Sequence, residues 1–422
     1  MKNILSKIIY YLLILITFLL PLHKNVVPIL ILSFVFFRLL QELVYEKTYF
    51  QHLRFNKLLF LPVLLFLYEC IGLIYSNNLS GGYKEIERQL SLLVFPLFMP
   101  VFSKDTAQNY RKILYSFLGG NILALLLCYA NAFYNSVSIV DGHMVFNSLI
   151  YPYTQADRNF FYYQYFSFFI HPSYFAMYLT FCSVYIVFIL NDKGKQFSKL
   201  KNVLLLILLF VFLFSIYLLS SKAGFITLFI VVLVLILWYG IKKKKIIITS
   251  IFLLVSIVGS ILFVTLNPRL KSFSKDLQNA ETKTELESTG IRVLLLKSGI
   301  NVLKNNFWFG TSPGCSDEEL IKEYRKYPNM QIAVDRNFGV HNQFLQTFII
   351  CGVFGFILLI LLYLVPLIYS IKEKNSLLFT FLIISGVNFM FENMLGMLSG
   401  VVFFTLFYSL IIVSNRNKYN LI

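Results

Sequence analysis

Charged residues are scarce in this 422-residue sequence. Only 14% of the residues are Asp, Glu, Lys or Arg, while 58% are hydrophobic and 18% are aromatic. A soluble domain of this length cannot hide so much apolar surface from water. The composition therefore excludes an ordinary soluble protein and predicts that most of the chain is embedded in lipid.

Cysteine is also sparse, with five residues in all. Cys70, Cys128, Cys182 and Cys351 lie in apolar runs, where a thiol behaves as a small hydrophobic group. Cys315 alone falls in a long polar loop, so a disulfide within that loop is not expected. The sequence has no Cys/His spacing or carboxylate cluster typical of a metal or redox site. We therefore expect neither a metal nor a cofactor.

Acidic residues are few, and the 20 Asp and Glu against 37 Lys and Arg give a net charge of +17. In a soluble protein this excess would suggest nucleic-acid binding. Here most basic residues lie in alternate short connections between apolar runs, the pattern of cytoplasmic loops. Both termini are therefore predicted to be cytoplasmic, and we expect no nucleic-acid partner. A contact of the 242–245 lysine run with anionic lipid is a less favoured alternative.

Long apolar runs fill the rest of the chain, and a bilayer core needs about 20 apolar residues per helix. The first run follows a basic start but lacks a small-residue cleavage site, so we expect an uncleaved helix. The sequence thus predicts an all-α, polytopic membrane protein of about twelve helices. The predicted helices are 8–22, 26–40, 58–75, 90–102, 113–134, 172–190, 203–219, 223–240, 246–265, 342–370, 376–391 and 396–413.

Three regions follow from this topology. Residues 1–265 are predicted to contain helices one to nine, with an external loop near 135–171. Residues 266–340 form one large extracytoplasmic loop, and residues 341–422 contain the last three helices and a cytoplasmic tail. The large loop is the predicted location of the chemistry, because long loops cross the membrane regardless of their charge.

The polar and apolar residues of the large loop are patterned as helices. Val293, Leu296, Ile300 and Leu303 recur at a spacing of three and four residues, which predicts an amphipathic helix, capped by Ser288 or Thr289, on the membrane surface. A turn-rich break at 310–314 follows. Ser316 and Glu319 then predict a capping box for a second helix that continues to about Tyr327.

Two residues of this loop are candidates for chemistry. Arg292 begins the amphipathic helix, and its planar donors suit phosphate oxygens, although it can equally be an ordinary solvated arginine. His341 stands where the loop re-enters the membrane. It can accept a proton near neutral pH, with Asn342 or Gln346 fixing its ring, or it can belong to a helix-capping polar cluster.

Further polar residues lie near the predicted outer face of the membrane. Lys222, after two serines in a short connection, can bind an anionic head group or merely mark a helix end. Arg88 and His171 precede other helices and can line the same cavity or be common interfacial residues. The same alternatives hold for a third set, which contains Glu85, Glu87, Gln89, Pro172 and Glu392.

Four motifs in a fixed order resemble the O-antigen ligase and polymerase family. They are Ser-Lys-Ala-Gly at 221–224, Gly-Ile-Arg at 290–292, Gly-Thr-Ser-Pro-Gly at 310–314 and His-Asn-Gln-Phe-Leu-Gln at 341–346. The resemblance covers residues 200 to 410. The first half of the chain agrees in helix number and in Arg88 ahead of Leu-Leu-Val-Phe-Pro. No single motif is specific for this family, so the resemblance rests on the order of the four motifs.

The resemblance implies a metal-independent, inverting glycosyltransferase at the periplasmic face of the bacterial inner membrane. Its donor would be an undecaprenyl-diphosphate-linked glycan. Ligases transfer this glycan to lipid A-core and polymerases to another lipid-linked repeat unit, and ligation is slightly preferred here. Membrane lipids complete the expected partners.

At the matching positions, the resemblance implies that His341 is the catalytic base and that Arg292 contacts the diphosphate. Lys222 stands where many members have arginine, which keeps the charge but loses the planar fork. Lys222, Arg88, Asn342 and His171 are expected to bind the diphosphate or the glycan.

A transporter or flippase of lipid-linked glycans is the alternative from another functional class. Such a protein would place ionisable residues near helix centres, often in repeated halves. The predicted helix interiors contain almost no charge apart from Arg38 and Glu69 near helix ends, and the sequence has no visible inverted repeat. Transport is therefore less favoured than glycan transfer.

Overall fold

The structure is a computed structural model that describes residues 2–46, 57–99, 107–146, 149–150, 157–158, 160–191, 198–243, 246–266 and 288–416. Helices dominate these residues, which confirms the prediction of a polytopic all-α protein. The helices are α1 (Lys2–Leu19), α2 (Val27–Gln41), α3 (Lys57–Gly72), α4 (Leu79–Gln89), α5 (Ser91–Phe98), α6 (Ala107–Ser136), α7 (Tyr163–Phe166), α8 (Pro172–Leu190), α9 (Lys199–Leu219), α10 (Lys222–Lys243), α11 (Ile246–Leu266), α12 (Ser288–Asn305), α13 (Ser316–Tyr324), α14 (Gln331–Asp335), α15 (Gln343–Lys372), α16 (Ser376–Phe391) and α17 (Leu398–Arg416).

Six helices of the described residues are long and apolar enough to cross a membrane, and five more are apolar but shorter. The six lie at Val27–Val44, Lys57–Tyr75, Tyr110–Ser136, Pro172–Leu190, Lys199–Leu219 and Gln343–Lys372. Helix α5, at the predicted fourth span, has only 8 residues, and residues 100–106 after it lie outside the described part. The number of twelve spans stays a prediction.

The chain divides into two compact units. The first contains residues 1–118, 276–382 and 389–421, and the second contains 119–275, 383–388 and 422. Helix α17 is buried along most of its length in the first unit, where Phe117 packs on Phe403 and Phe407 and the Tyr408 hydroxyl donates to the carbonyl of Leu58. Helix α8 is the most buried apolar helix of the second unit.

Two short hairpins follow helix α6 in the external loop predicted at 135–171. Strands β1 (Val137–Val140) and β2 (His143–Phe146) pair antiparallel, and so do β3 (Leu149–Ile150) and β4 (Asp157–Arg158). Asp141 and Gly142 both have positive φ, as a tight two-residue hairpin turn requires.

The described part of the large loop, from residue 288 onward, is a small helical subdomain. Leu294, Leu295 and Val302 of α12 form its core with Leu320 and Tyr324 of α13. The predicted apolar face of α12 stays a prediction: Leu303 packs against this core, whereas Ile300 is 48% exposed. The helix has apolar residues on more than one side, and packing against α13 selects Leu294 and Leu295.

The predicted second helix exists, but its predicted cap was wrong. Ser316 is the first helical residue of α13, Cys315 occupies the N-cap position without a side-chain bond, and Glu319 pairs with Lys322. The side chains of Ser288 and Thr289, predicted to cap α12, lie outside the described part.

Helix α15 is interrupted at Gly352, whose φ of 64° and ψ of −165° are not helical. The turn motif at 310–314 pairs with this break. The amides of Thr311 and Ser312 donate to the carbonyls of Ile349 and Ile350, and the Val353 amide donates to the carbonyl of Phe307. Backbone groups freed at membrane depth need such partners. The motif thus serves the helix break, and α15 before Gly352 belongs to the loop core through Leu345 and Ile349.

Candidate functional site

A buried carboxylate joins the two loop residues predicted to act together. Glu392 Oε1 lies 2.9 Å from Arg292 Nη2, and Glu392 Oε2 lies 3.1 Å from His341 Nδ1. The Glu392 side chain is only 5% exposed, whereas Arg292 and His341 are each 29% exposed. The three side chains, named here the Arg–Glu–His cluster, all belong to the first compact unit.

Three separate elements position this cluster. Arg292 lies in the first turns of α12, whose neighbours Leu294 and Leu295 are fully packed in the loop core. His341 precedes α15, and Glu392 lies in the turn between α16 and α17. Each side chain therefore projects from a position fixed by a packed helix rather than from a free loop.

The cluster specifies the tautomer of His341. Glu392 bonded to an arginine is a carboxylate, and a carboxylate can only accept hydrogen bonds. In the neutral ring His341 Nδ1 therefore carries the proton, and Nε2 keeps its lone pair. The imidazole is half-buried, and its ring packs edge-on against Phe338 with 5.6 Å between the ring centroids. In that form Nε2 is the nitrogen that can accept a proton.

The predicted partner of the His341 ring was wrong. Asn342 is instead the N-cap of α15: its Oδ1 accepts from the Leu345 amide at 2.9 Å, and its Nδ2 donates to the Met390 carbonyl at 3.2 Å. Gln346 Oε1 accepts from the Val340 amide at 3.2 Å rather than from the ring. The predicted capping network is therefore present, and the role of His341 as a base stays a prediction.

Arg88 lies in the same compact unit but pairs with a different carboxylate. Its Nη1 lies 3.1 Å from Glu85 Oε2, and Arg88 is 54% exposed. Glu85 also accepts from Gln89 Nε2 at 3.1 Å. Burial raises the pKa of Glu85 despite these two partners. Arg88 is therefore an accessible cation, and no described bond joins it to the Arg–Glu–His cluster.

Lys222 and His171 lie in the second compact unit. Lys222 is the first residue of α10, after the left-handed Ser220 that ends α9. His171 is the N-cap of α8, and its Nδ1 accepts from the Ser173 amide at 3.4 Å. Ser173 in turn bonds Ser221 at 3.2 Å, which links the two candidate segments within this unit. Their part in substrate binding stays a prediction.

Glu392 is the residue of the Arg–Glu–His cluster that sequence reasoning ranked too low. It was only one of several interfacial polar residues, although it is the single charged residue between positions 376 and 413. A lone carboxylate in a long apolar stretch is expensive unless it has a partner. That isolation was the available signal, and Arg292 and His341 are the partners that it required.

Comparison with known proteins places the two loop residues within a family segment. Residues 205–360 match the model of the family described as O-antigen ligase, and this range includes Lys222, Arg292 and His341. The resemblance to the O-antigen ligase and polymerase family is thereby confirmed over this segment. No curated protein matches the chain.

Proposed function

We propose that this protein transfers an undecaprenyl-diphosphate-linked O-antigen, or a related polysaccharide, to lipid A-core. One observation carries the proposal: within a segment that matches the O-antigen ligase family, Arg292 and His341 share the buried carboxylate of Glu392. A cation and an oriented imidazole side by side suit the departure of a diphosphate and the activation of a hydroxyl.

Arg292 is the proposed contact of the diphosphate. One of its terminal nitrogens is bound to Glu392, and the other guanidinium donors stay available on a side chain that is 29% exposed. A planar guanidinium can bind a phosphate through two parallel hydrogen bonds. Glu392 would hold the plane of this fork in one orientation before the donor arrives, which lowers the entropy lost on binding.

His341 is the proposed general base. The acceptor hydroxyl gives its proton to Nε2 while its oxygen forms a bond to the anomeric carbon. The bond from that carbon to the phosphate oxygen breaks at the same time, and undecaprenyl diphosphate leaves with the electron pair. A single displacement of this kind inverts the anomeric configuration.

The charge of the cluster would change in step with the reaction. Arginine, carboxylate and neutral imidazole together carry no net charge, and protonation of His341 makes the total +1. The leaving diphosphate gains negative charge during the same step. The cluster therefore attracts the transition state more strongly than the bound substrate, which is the requirement for acceleration. This compensation requires neither a metal nor a cofactor.

Four further residues, two in each compact unit, are proposed to bind the substrate. Lys222 and Arg88 are proposed to contact the diphosphate or glycan through their charges, and Asn342 and His171 through their polar groups. The site is proposed to face the periplasm from the bacterial inner membrane, with both termini in the cytoplasm and membrane lipids around the helices. The basic residues of the short connections support this orientation.

The test uses the purified full chain in lipid vesicles with an undecaprenyl-diphosphate-linked glycan. Transfer to lipid A-core supports ligation, whereas elongation of a second lipid-linked repeat unit would assign polymerisation. His341→Ala is expected to abolish transfer while the protein stays monodisperse in detergent. Product on neither acceptor, or full activity of His341→Ala, would reject the proposal.

A further inference from the structure

The backbone at His341 has an unusual conformation. Its φ of +51° lies in the left-handed region, where L-amino acids other than asparagine, aspartate and histidine are rare. Such a conformation persists only where the surroundings impose it. The imidazole position depends on this backbone, because φ sets the direction of the bond from Cα to Cβ. Whatever holds the backbone at residue 341 therefore also aims the ring.

Two side-chain amides bind the backbone N–H groups of the residues before and after His341. Gln346 Oε1 accepts from the Val340 amide at 3.2 Å, and Asn393 Oδ1 accepts from the Asn342 amide at 3.0 Å. Asn393 Nδ2 donates to the same Gln346 Oε1 at 3.3 Å, which joins the two contacts. Val340 is fully buried and Gln346 is 7% exposed, so water does not compete for the bond between these two residues.

The second of these amides adjoins the carboxylate of the cluster. Glu392 binds the His341 ring, and the next residue, Asn393, binds the backbone that follows the ring. The turn between α16 and α17 therefore binds both the His341 ring and the backbone amide that follows it. Gly339 leaves room for this arrangement, since a Cβ there would lie 2.0 Å from Asn393 Nδ2.

We propose that Asn393 and Gln346 are positioning residues that hold His341 in its left-handed conformation and so aim its Nε2 at the acceptor hydroxyl. The proposal deepens the proposed function and rests on it for the role of the imidazole. Neither amide needs to contact substrate, because each acts through the backbone beside His341.

Kinetics of transfer give the first test. Asn393→Ala is expected to lower kcat about 10- to 100-fold, since small misplacements of a reacting group have effects of that size, and to leave KM for the donor within about twofold. Asn301→Ala is the matched control: this asparagine donates to Glu323 at 3.0 Å in the same compact unit, away from His341. Its kcat is expected to stay within about twofold of wild type. An unchanged kcat in Asn393→Ala would overturn the proposal.

A conservative pair at Gln346 separates positioning from loss of packing. Gln346→Glu keeps an Oε1 acceptor for the Val340 amide and Asn393, whereas Gln346→Met keeps the size of the side chain without an acceptor. The glutamate variant is expected to retain at least about a third of the wild-type kcat, and the methionine variant to fall about 10-fold or more. Equal activity of the two variants would contradict the proposed role.

A stability cycle tests the positioning role of Asn393 and Gln346 without any reaction. Glycine adopts positive φ freely, so a chain with His341→Gly does not need the two amides to hold residue 341. Asn393→Ala is expected to lower Tm by about 3 °C or more in the His341→Gly chain, where only the hydrogen bond is lost, and by less than about 1 °C in the wild-type chain, where release of the left-handed residue offsets that loss. Equal losses in both chains would show that Asn393 serves packing only. This outcome is independent of whether the proposed function is correct.

Discussion

Glu392 binds Arg292 through one carboxylate oxygen and His341 through the other, although it follows them in the chain by 100 and 51 residues respectively. A carboxylate that is 5% exposed is stable at such a place because Arg292 compensates its charge and His341 contributes a second hydrogen bond. The pairing gives the proposed base its tautomer and the proposed diphosphate contact its orientation.

Removal of the charge at Glu392 is predicted to impair transfer more than folding. Glu392→Gln keeps the shape of the side chain but no longer stabilises a protonated His341, and it can donate to Nδ1 and so select the wrong tautomer. We expect kcat to fall by roughly 10²- to 10⁴-fold, the range known for comparable carboxylates beside catalytic histidines. Initial rates of glycan transfer measure the effect.

The matched control for that substitution is Glu318→Gln. Glu318 is an exposed carboxylate of α13 that accepts from Asn78, apart from the Arg–Glu–His cluster. Its rate is expected to stay within about twofold of wild type. A wild-type rate in Glu392→Gln would remove the carboxylate from the mechanism.

Arg292→Lys is predicted to retain the positive charge but not the geometry. A lysine ammonium cannot bind a carboxylate and a phosphate through a planar fork. We expect at least a tenfold loss of kcat/KM for the lipid-linked donor, and a larger loss in Arg292→Met. Donor titrations in vesicles measure both. Equal rates for the lysine variant and wild type would show that charge alone suffices there.

The sequence predicted some residues of the candidate site better than others. Arg292 and His341 were found because ionisable side chains beside long apolar runs are rare and usually have a role. Glu392 carries the same local signal, but its partners lie in other segments, and no spacing along the chain reveals which charges meet. Asn393 and Gln346 bind the backbone beside His341, and the pattern of side chains along the sequence does not predict such contacts.

The fold shows the same limit. Helix positions followed from apolar length, because the bilayer imposes that length on each span. The sequence did not predict that Leu294 rather than Ile300 of α12 is buried, since both residues are apolar and only packing distinguishes them. The sequence also contains no signal of the break at Gly352, because glycine is common in membrane helices and most such glycines leave the helix unbroken.

Gly352→Ala is predicted to destabilise the break in α15. The backbone at this residue is accessible essentially to glycine alone, and an added Cβ would lie 2.2 Å from the carbonyl oxygen of Trp308. We expect a lower Tm and less monodisperse protein in detergent. Gly259→Ala is the control, because a Cβ at Gly259 meets no atom within 4 Å. Equal Tm values of the two variants would argue against the strained break.

Cys315 is predicted to report the side of the membrane on which the large loop lies. Burial raises the pKa of this thiol, but hydrogen bonds, among them the one with Ser76 at 3.8 Å, outweigh it, so the pKa lies below its ordinary value. More thiolate is therefore present at neutral pH than for a free cysteine, and labelling should rise with pH to a midpoint below that of a free cysteine.

The measurement uses a membrane-impermeant maleimide on intact cells, in a Cys70→Ser background. Cys128, Cys182 and Cys351 are buried and should not react. We expect labelling that disappears in Cys315→Ser. Labelling only after the cells are permeabilised would place the loop in the cytoplasm and reverse the predicted topology.

The location of Glu392 after α16 has a consequence for biosynthesis. A ribosome completes α12 and the segment around His341 well before it synthesises the turn that supplies both the carboxylate and Asn393. A nascent chain thus lacks the carboxylate that pairs with Arg292 and His341 until that turn has been synthesised.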